Sequence, residues 1–342
     1  MRIGVVGYGT GGRHFHTPYI EVVPGCVLVG IVARAPGTVA QARADWPEVP
    51  IFASLAALID SGVDAVTITT PPATRRPLVL EAVGRGVHVV ADKPFAPTAA
   101  AGLDLVRAAD AAGVLLSVFH NRRWDTDLQT LRDVLDDGRL GTVWRFESRM
   151  DQDDPGTLER GPDGGLLRDL GSHVIDQALW LFGPATGVYA TLDWITEDGV
   201  RTDAGFVLTL THRTGVRSHL SSSKVNGLVS RELRLLGAHG SYVSDYSDVQ
   251  AEAVFAGRKP ADDLDGWGRE VEARWGSLTI TGEPPRLVPS ARGAYQEFYR
   301  RFAAAVEHGE PQPVPAAEAV ETLRVLDAAR TSAANDQVVR LD

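Results

Sequence analysis

Lysine is scarce in this chain of 342 residues, where Lys93, Lys224 and Lys259 are the only lysines among 34 basic residues. Arginine stays protonated in proteins, whereas lysine can release and take up a proton. Lys93 follows Val87–Ala91, a valine-rich run typical of a buried strand, and Pro94 stiffens the turn after it. Because open α/β sheets bind ligands at the carboxyl ends of their strands, we predict that Lys93 exchanges a proton with a bound substrate. The alternative is an ordinary surface lysine.

A second pair with the spacing of a proton relay is Asp169 and His173. A helix is predicted over Leu170–Phe182, and residues four apart on a helix share a face. A carboxylate one turn from an imidazole can orient it and stabilise its charged form. We therefore treat both as candidate catalytic residues. The alternative is a structural pair at a helix start, where Asp169 interacts favourably with the helix dipole.

A glycine-rich turn follows directly on the apolar run Arg2–Val6, and a helix is predicted after it at Phe15–Val23. Dinucleotide-binding turns have glycines with the spacing seen at Gly7, Gly9 and Gly12. In such turns the first glycine makes the tight turn, the second lets backbone approach a pyrophosphate, and the third lets the helix pack on the strand. The amides at the start of the helix point at the phosphates. The predicted cofactor contacts in this turn are Gly7, Tyr8, Gly9, Thr10 and Gly12.

The residue after the second predicted strand, Val27–Val32, bears on the choice of cofactor. Where this kind of fold prefers NAD(H), an acidic residue at this point binds the ribose 2′-hydroxyl. This chain has Arg34 there, and the next acid, Asp45, lies well beyond it. A guanidinium can bind a 2′-phosphate through paired, charge-assisted hydrogen bonds. The residues therefore predict NADP(H) as the preferred cofactor, with NAD(H) as the alternative.

Strands and helices alternate over the first third of the chain, with helices predicted at Pro77–Arg85 and Ala99–Ala112. This alternation implies right-handed crossovers and predicts a doubly wound parallel sheet, a Rossmann domain, over residues 1–122. Beyond it, strand-like runs follow one another without helices between them. They predict an α+β domain over residues 123–342 with a large, mostly antiparallel, open sheet, so that the whole chain is α/β. The open face of that sheet is expected to be buried in a homo-oligomer, a dimer or a tetramer.

Composition excludes several classes of function. The net charge of −10 argues against nucleic acid or an anionic membrane surface as a partner and favours a neutral small molecule. Cys26 is the only cysteine, and the sequence shows neither a signal peptide nor a membrane-length apolar run, so a cytoplasmic protein is expected. The acidic loop Asp151–Asp163 lacks the regular ligand spacing of a calcium loop, so no metal site is predicted.

Weaker candidates lie near the predicted cofactor site. His16 and His120 could approach a ligand, although a satisfied core or surface histidine is the more common role. Asn121–Arg123 ends the last strand of the first domain and borders the predicted cleft, and one of these three residues is expected to contact ligand. The two arginines could instead pair with Asp125 or Asp127.

Together these motifs resemble the Gfo/Idh/MocA oxidoreductase family, and the resemblance runs over nearly the whole chain. The matching stretches are GYGTGG at Gly7–Gly12, DKP at Asp92–Pro94, LLSVFHNRRWD at Leu115–Asp125 and DLGSHVIDQ at Asp169–Gln177. A further stretch, AGRKPADD at Ala256–Asp263, is similar to the branch of NADP-dependent scyllo-inositol dehydrogenases. The resemblance implies that Lys93 is the catalytic base and that Asp169 and His173 assist it. The cofactor contacts that it implies after the later strands are Thr70, Pro71, Asp92, Lys93 and Asn121.

The chain departs from the family pattern in three places. Asp92 stands where the family more often has Glu. Pro72 and Arg75 stand where the family usually has Asn and His. The loop Asp151–Gly165 lacks the arginine- and aromatic-rich stretch expected of the inositol branch.

The resemblance implies an oxidoreductase that transfers hydride between NADP(H) and a secondary alcohol of a cyclitol, polyol or sugar. Two alternatives stay open. One is an NAD-dependent glycosidase of the same fold, in which the redox step is transient and the net reaction is hydrolysis. The other is a regulator that binds a nucleotide or sugar without catalysis.

Overall fold

A computed structural model describes residues 1–161, 164–245 and 248–342, which form two compact units. The first unit comprises Met1–Asn121, Gln250–Trp267 and Ala294–Val320. The second comprises Arg122–Val249, Gly268–Gly293 and Glu321–Asp342. The predicted domains are two continuous stretches of chain, whereas two late segments belong to the first unit. Side-chain contacts hold one of these segments there, because Tyr299 bonds His16 at 2.6 Å and Glu307 pairs with the amino terminus at 2.8 Å.

Six parallel strands form the sheet of the first unit. They are β1 (Arg2–Val6), β2 (Val27–Val32), β3 (Ile51–Phe52), β4 (Ala65–Ile68), β5 (His88–Ala91) and β6 (Leu116–Val118). Their order is β3-β2-β1-β4-β5-β6, so the winding reverses between β1 and β4. Ile3, Val5 and Val66 are fully buried, as expected for strands with helices on both faces. The carboxyl ends of β1 and β4 therefore form the switch point at which such sheets bind ligands.

Ten α-helices are found in the described parts of the chain. They are α1 (Thr17–Glu21), α2 (Pro36–Asp45), α3 (Leu55–Asp60), α4 (Pro72–Gly84), α5 (Ala99–Ala112), α6 (Thr126–Asp136), α7 (Leu166–Phe182), α8 (Val249–Phe255), α9 (Gln296–His308) and α10 (Ala316–Asn335). None of the helices in these parts of the chain is long and apolar enough to cross a membrane.

Three helix predictions are wrong at their amino ends. The predicted helix Phe15–Val23 is a π-helical turn, Gly11–His16, followed by α1. Helix α4 begins at Pro72 rather than at Pro77, because a proline at the first helical position loses no hydrogen bond. Helix α7 begins at Leu166 rather than at Leu170, directly after Gly165, whose φ is +93°. These earlier starts matter because they bring Arg75 and Asp169 into helices.

Nine strands form the sheet of the second unit. They are β7 (Val143–Asp151), β8 (Ala185–Glu197), β9 (Val200–His212), β10 (Arg217–Ser223), β11 (Ser230–Gly237), β12 (Gly240–Ser244), β13 (Ser277–Ile280), β14 (Arg286–Leu287) and β15 (Val339–Arg340). Their order is β14-β13-β12-β11-β7-β10-β9-β8-β15, and only the β7–β10 pair is parallel. The predicted fold class, a Rossmann sheet followed by a large, mostly antiparallel sheet, is confirmed.

The two faces of this second sheet differ in burial. Leu208 and Leu220 are paired in register and fully buried, and the neighbouring Phe206 lies beside Gly171 of α7. On the other face, Val207 is about half exposed, at 52%, and lies in a groove with Arg149. One face is thus covered by α7 and the other is open, as predicted. The homo-oligomer expected on that open face stays a prediction.

The turn between β1 and α1 shows why its glycines are needed. Gly7 has a φ of +100°, which favours glycine. A Cβ atom on Gly12 would lie 2.2 Å from the carbonyl oxygen of Gly7, so the turn can close only without a side chain there. A Cβ atom on Gly9 would meet nothing within 4 Å. Gly9 is therefore not required by the protein's own packing and faces free space.

We expect Gly12→Ala and Gly9→Ala to behave differently in urea unfolding. The first should lower the free energy of unfolding by about 1–3 kcal/mol, because the new methyl group must displace backbone. The second should change it by less than about 1 kcal/mol, since no atom is displaced. Equal losses of stability in the two variants would contradict this assignment of the two glycines.

Candidate functional site

Tyr8 and Asp45 form a structural contact beside the glycine turn. The Tyr8 hydroxyl donates to Asp45 Oδ2 at 2.9 Å, and Arg13 Nε donates to the same oxygen at 2.7 Å. Burial raises the pKa of Asp45, but the hydrogen bonds from Arg13 and Tyr8 outweigh it and lower that pKa overall. The Tyr8 ring packs against Ala33 at the end of β2. The acid nearest to Arg34 in sequence after β2 is thus already bound by protein donors.

Arg34 and Thr10 are exposed at the edge of the first unit where its parallel strands have their carboxyl ends, the carboxyl edge. Arg34 comes two residues after β2 ends, and its side chain makes no hydrogen bond or ion pair with the described part of the chain. Thr10 precedes the π-helical turn at Gly11. A guanidinium in this position is free to bind a ligand phosphate, which is what the sequence predicts for Arg34.

Asp92 is the charged centre of the first unit's carboxyl edge. Its Oδ1 accepts from the backbone N–H of Lys93 at 2.8 Å, and its Oδ2 lies 3.8 Å from His16 Nε2 and 4.0 Å from Arg75 Nη2. Burial by itself raises the pKa of Asp92, but His16, Arg75 and Lys93 outweigh it and hold that pKa well below its usual range. A Cβ atom on Gly11 would lie 2.9 Å from Asp92 Oδ2. The structure therefore brings the glycine turn and the Asp92–Lys93 loop together.

His16 belongs to a buried hydrogen-bond chain and not to an exposed face. Its Nδ1 lies 2.6 Å from the hydroxyl of Tyr299, which in turn lies 3.1 Å from Thr67 Oγ1. Burial raises the pKa of Tyr299 well above its ordinary value. His16 is thus a core histidine, the more common of the two roles considered, and its Nε2 faces Asp92.

Lys93 is the second residue after the end of β5, at the position predicted, and is partly exposed. The loop that contains it is held by Arg75, a residue to which the sequence assigns no role. Arg75 Nη1 donates to the carbonyl oxygens of Lys93 at 3.0 Å and Pro94 at 2.7 Å. Its Nε donates to the carbonyl oxygen of Thr70 at 2.8 Å, and Pro71 next to Thr70 caps α4. The predicted cofactor contacts after β4 and β5 are therefore linked through one side chain.

For the three residues after β6, the alternatives were contact with a ligand and, for the two arginines, pairing with an acidic residue of the protein. Asn121 is buried at the start of a 3-10 turn, Asn121–Trp124. In the second unit, Arg122 pairs with Asp125 at 3.0 Å, which is one of the structural pairs considered. Arg123 pairs with Asp176 at 2.6 Å rather than with Asp125 or Asp127. The two arginines thus have carboxylate partners within the protein, while Asn121 stays a predicted contact.

Asp169 and His173 lie one turn apart on α7, in the second unit. The structure adds a residue whose role the sequence analysis missed. Lys224, directly after β10, is only 3% exposed, and its Nζ lies 3.1 Å from Asp169 Oδ2 and 3.4 Å from the carbonyl oxygen of Thr157. The scarcity of lysine is the signal that could have found it, but sequence spacing does not connect residues 169 and 224. Lys93 belongs to the other compact unit.

Metal ligands are not grouped in the described ranges 1–161, 164–245 and 248–342, where no cluster of three His, Cys, Asp or Glu side chains could hold an ion. Asp163, the last residue of the acidic loop considered as a calcium site, lies outside the described residues.

A nicotinamide dinucleotide fits the residues of the first unit. Gly9 leaves open space beside the backbone of the turn, which is what a pyrophosphate requires. Two buried polar atoms at the carboxyl edge, His16 Nε2 and Thr69 Oγ1, have no hydrogen-bond partner within the described chain. Arg34 supplies a positive charge beyond β2. These features together make the carboxyl edge suitable for an anionic, hydrogen-bonding ligand.

We expect the Lys224–Asp169 pair to contribute to stability. In Lys224→Met, Asp169, whose side chain is 30% exposed, keeps its charge without the buried partner, so the free energy of unfolding should fall by about 1–3 kcal/mol. The double variant Lys224→Met/Asp169→Asn should lose less than the sum of the single variants, as measured by urea unfolding. Lys259→Met is the control and should change stability by less than about 1 kcal/mol, since the Lys259 ammonium lies over the Trp46 ring and forms no ion pair with the described residues. Strictly additive losses would show that the pair is energetically unimportant.

Family models match two consecutive stretches of the chain. Residues 1–120 match the model of the oxidoreductase family with an NAD-binding Rossmann fold, and residues 128–243 match the GFO/IDH/MocA C-terminal domain. The scyllo-inositol 2-dehydrogenase (NADP+) IolW of Bacillus subtilis is 32% identical over 100% of this chain and 96% of its own. The uncharacterized oxidoreductase YdgJ of Escherichia coli is 33% identical over 96% of this chain and 94% of its own.

A solved structure shares the whole fold. The oxidoreductase yvaA of Bacillus subtilis superposes with a TM-score of 0.91, covers 100% of this chain and 98% of its own, and is 31% identical. Agreement in sequence and in structure over the full length leaves one assignment: the chain belongs to the Gfo/Idh/MocA oxidoreductase family, and its first unit is the family's NAD-binding Rossmann fold.

Proposed function

We propose that this oxidoreductase prefers NADP(H) and transfers hydride to or from a secondary alcohol of a cyclitol, polyol or sugar. The observation that carries the proposal is the position of Lys93. It follows β5 at the carboxyl edge of the Rossmann sheet, in the loop whose Asp92 carboxylate lies against the glycine turn. A relative identical at 32% of positions is named as an NADP-dependent scyllo-inositol 2-dehydrogenase, which supports both the substrate class and the cofactor.

The proposed mechanism divides the work between cofactor and protein. The bound nicotinamide supplies the hydride chemistry. In oxidation, the neutral amine of Lys93 takes the proton of the substrate hydroxyl, and in reduction the protonated amine returns it. The assisting role proposed for Asp169 and His173 rests on their one-turn spacing on α7, where Lys224 holds the Asp169 carboxylate in place. Asp92 fixes the backbone N–H of Lys93.

A panel assay tests the proposal against its alternatives. Wild-type protein is incubated with NADP+ and scyllo-inositol, myo-inositol, other polyols and simple sugars, and reduced nicotinamide is followed by its absorbance. We expect turnover with at least one cyclitol or sugar. Release of free sugar from a glycoside without net reduction of cofactor would favour the glycosidase. Binding of NADPH without turnover of any compound would favour the regulator.

Lys93→Arg should lower kcat by about 10²–10⁴, because the guanidinium keeps the charge but cannot release a proton. NADPH affinity, measured by the quenching of its fluorescence, should change little. Lys259→Arg is the control for the exchange itself, because it is made at a lysine of the same unit that does not belong to the Asp92–Lys93 loop. A Lys93→Arg variant that retains more than about a tenth of the wild-type kcat would remove Lys93 from the proton-transfer step.

We further propose that Arg34 sets the preference for NADP(H). Charge-assisted hydrogen bonds to the 2′-phosphate contribute about 1.5–3 kcal/mol each, and exposure of Arg34 favours the lower value. This corresponds to a roughly tenfold to hundredfold higher kcat/KM with NADP+ than with NAD+. The ratio should fall as salt rises, and Arg34→Asp should invert it.

Arg43→Asp is the control for this exchange, because Arg43 is an exposed arginine on α2 with no contact to the proposed site. It should leave the cofactor ratio unchanged. If the wild type uses NAD+ as well as NADP+, and salt does not alter the ratio, Arg34 has no role toward the phosphate. Stacking on adenine, which both cofactors contain, is then the better account of Arg34.

A further inference from the structure

Arg75 is a buried cation at the carboxyl edge of the Rossmann sheet. It is the fourth residue of α4, and only 6% of it is exposed. Its neighbour Arg76 is exposed and makes no contact of this kind. Burying a guanidinium is costly unless its N–H groups bind acceptors. The acceptors of Arg75 therefore show which parts of the chain it holds in place.

The guanidinium of Arg75 joins the loops that follow two neighbouring strands. Three of its donors are used on main-chain oxygens: Nε on Thr70 at 2.8 Å, and Nη1 on Lys93 at 3.0 Å and Pro94 at 2.7 Å. Its Nη2 lies 4.0 Å from the Asp92 carboxylate, which compensates its charge. A planar, multiply donating group is needed for this arrangement, since lysine has a compact charge at the end of its chain.

The contacts hold the main chain of Lys93 from both sides. Its N–H is bound by Asp92 Oδ1 at 2.8 Å, and its carbonyl oxygen is bound by Arg75. The Thr70–Pro71 turn has support of its own, because Thr74 Oγ1 donates to the carbonyl oxygen of Pro71 and shares a hydrogen bond with Thr70 Oγ1, both at 2.9 Å. Removing Arg75 therefore releases the Lys93 loop more than it releases the turn after β4.

We propose that Arg75 is a positioning residue that sets where the Lys93 amine is presented, by clamping the Lys93–Pro94 main chain to the turn after β4. The inference rests on the proposed function in that Lys93 carries the proton. Misplacement of a reacting group by about 1 Å costs about 100-fold in rate, so the clamp is expected to act on kcat. Cofactor binding also rests on the glycine turn, so the KM for NADP+ is expected to change less than kcat.

The kinetic test compares Arg75→Gln, Arg75→Lys and the control Arg76→Gln, with scyllo-inositol and NADP+ or the panel compound that the wild type turns over. Both Arg75 variants should lose about 10- to 100-fold in kcat, with the KM for NADP+ changing by less than about threefold. Arg76→Gln should match the wild type. If Arg75→Lys keeps the wild-type kcat, a positive charge beside Asp92 is sufficient, and the proposal that the guanidinium clamps the Lys93–Pro94 main chain is refuted. If the KM for NADP+ rises while kcat is kept, Arg75 serves the cofactor turn instead.

A second readout needs no turnover and separates this inference from the proposed function. Reductive methylation with ¹³C-formaldehyde labels the amino terminus and the three lysines, and Lys93→Arg assigns the Lys93 signal in the NMR spectrum. In Arg75→Gln or Arg75→Lys, the Lys93 signal, assigned in each variant by adding Lys93→Arg, should shift while those of Lys224 and Lys259 stay in place. The lysine introduced by Arg75→Lys adds a signal of its own. An unchanged Lys93 signal overturns the proposal.

If Arg75→Gln does not fold, Arg75→Lys alone decides the test, because it keeps the buried charge. Failure of the wild type to turn over any compound would refute the proposed function and leave this readout valid.

Discussion

The partly buried carboxylate of Asp92, whose side chain is 17% exposed, is the group on which the first unit's carboxyl edge depends. A negative charge taken out of water is tolerated only where donors and cations surround it, and here they come from three parts of the chain. The backbone of Lys93, the imidazole of His16 and the guanidinium of Arg75 all face it. Since Gly11 has no side chain, the cofactor turn can lie against the same carboxylate. One charge thus orders the glycine turn, the lysine loop and α4.

The same edge shows how the protein uses its basic residues. Arginine supplies permanent charge and forked donors, as Arg75 does on three carbonyl oxygens and Arg13 does on Asp45. Two of the three lysines lie just past the ends of strands: Lys93 is the second residue after β5, and Lys224 is the first after β10. In the second unit, the ion pair of Lys224 with Asp169 holds a carboxylate on α7, one turn from His173. Each unit therefore has a carboxylate fixed by a buried or half-buried cation.

The two buried cations Arg75 and Lys224 each bind more than one acceptor. Thr157 offers Lys224 a second acceptor, and Thr74 supports the turn from which Arg75 takes one of its acceptors. Such networks are effective only when every member is satisfied, because an unpaired polar group in a low-dielectric region is costly. Substitution of a side chain beside the proposed site can therefore be as costly as substitution of one within it, because it leaves a buried polar group without a partner.

Sequence by itself determined the strands of the first unit, the glycine turn, the fold class and the family, because these depend on local periodicity and on contiguous motifs. It does not predict β13, β14 or β15 of the second sheet. The run Arg2–Val6 and the helix Ala99–Ala112 have the bounds that their residue patterns predict. Lys93 at the end of β5 and the one-turn spacing of Asp169 and His173 were likewise readable from neighbouring residues.

Only the tertiary structure decided which distant side chains meet. Arg75 reaches a loop 18 residues away, His16 bonds Tyr299 across 283 residues, and Lys224 pairs with Asp169 across 55. Proline at the start of α4 concealed the helix that carries Arg75, since the same residue breaks a strand and begins a helix. Pairing across such separations depends on how strands order and helices pack, and no local pattern in the chain records that order.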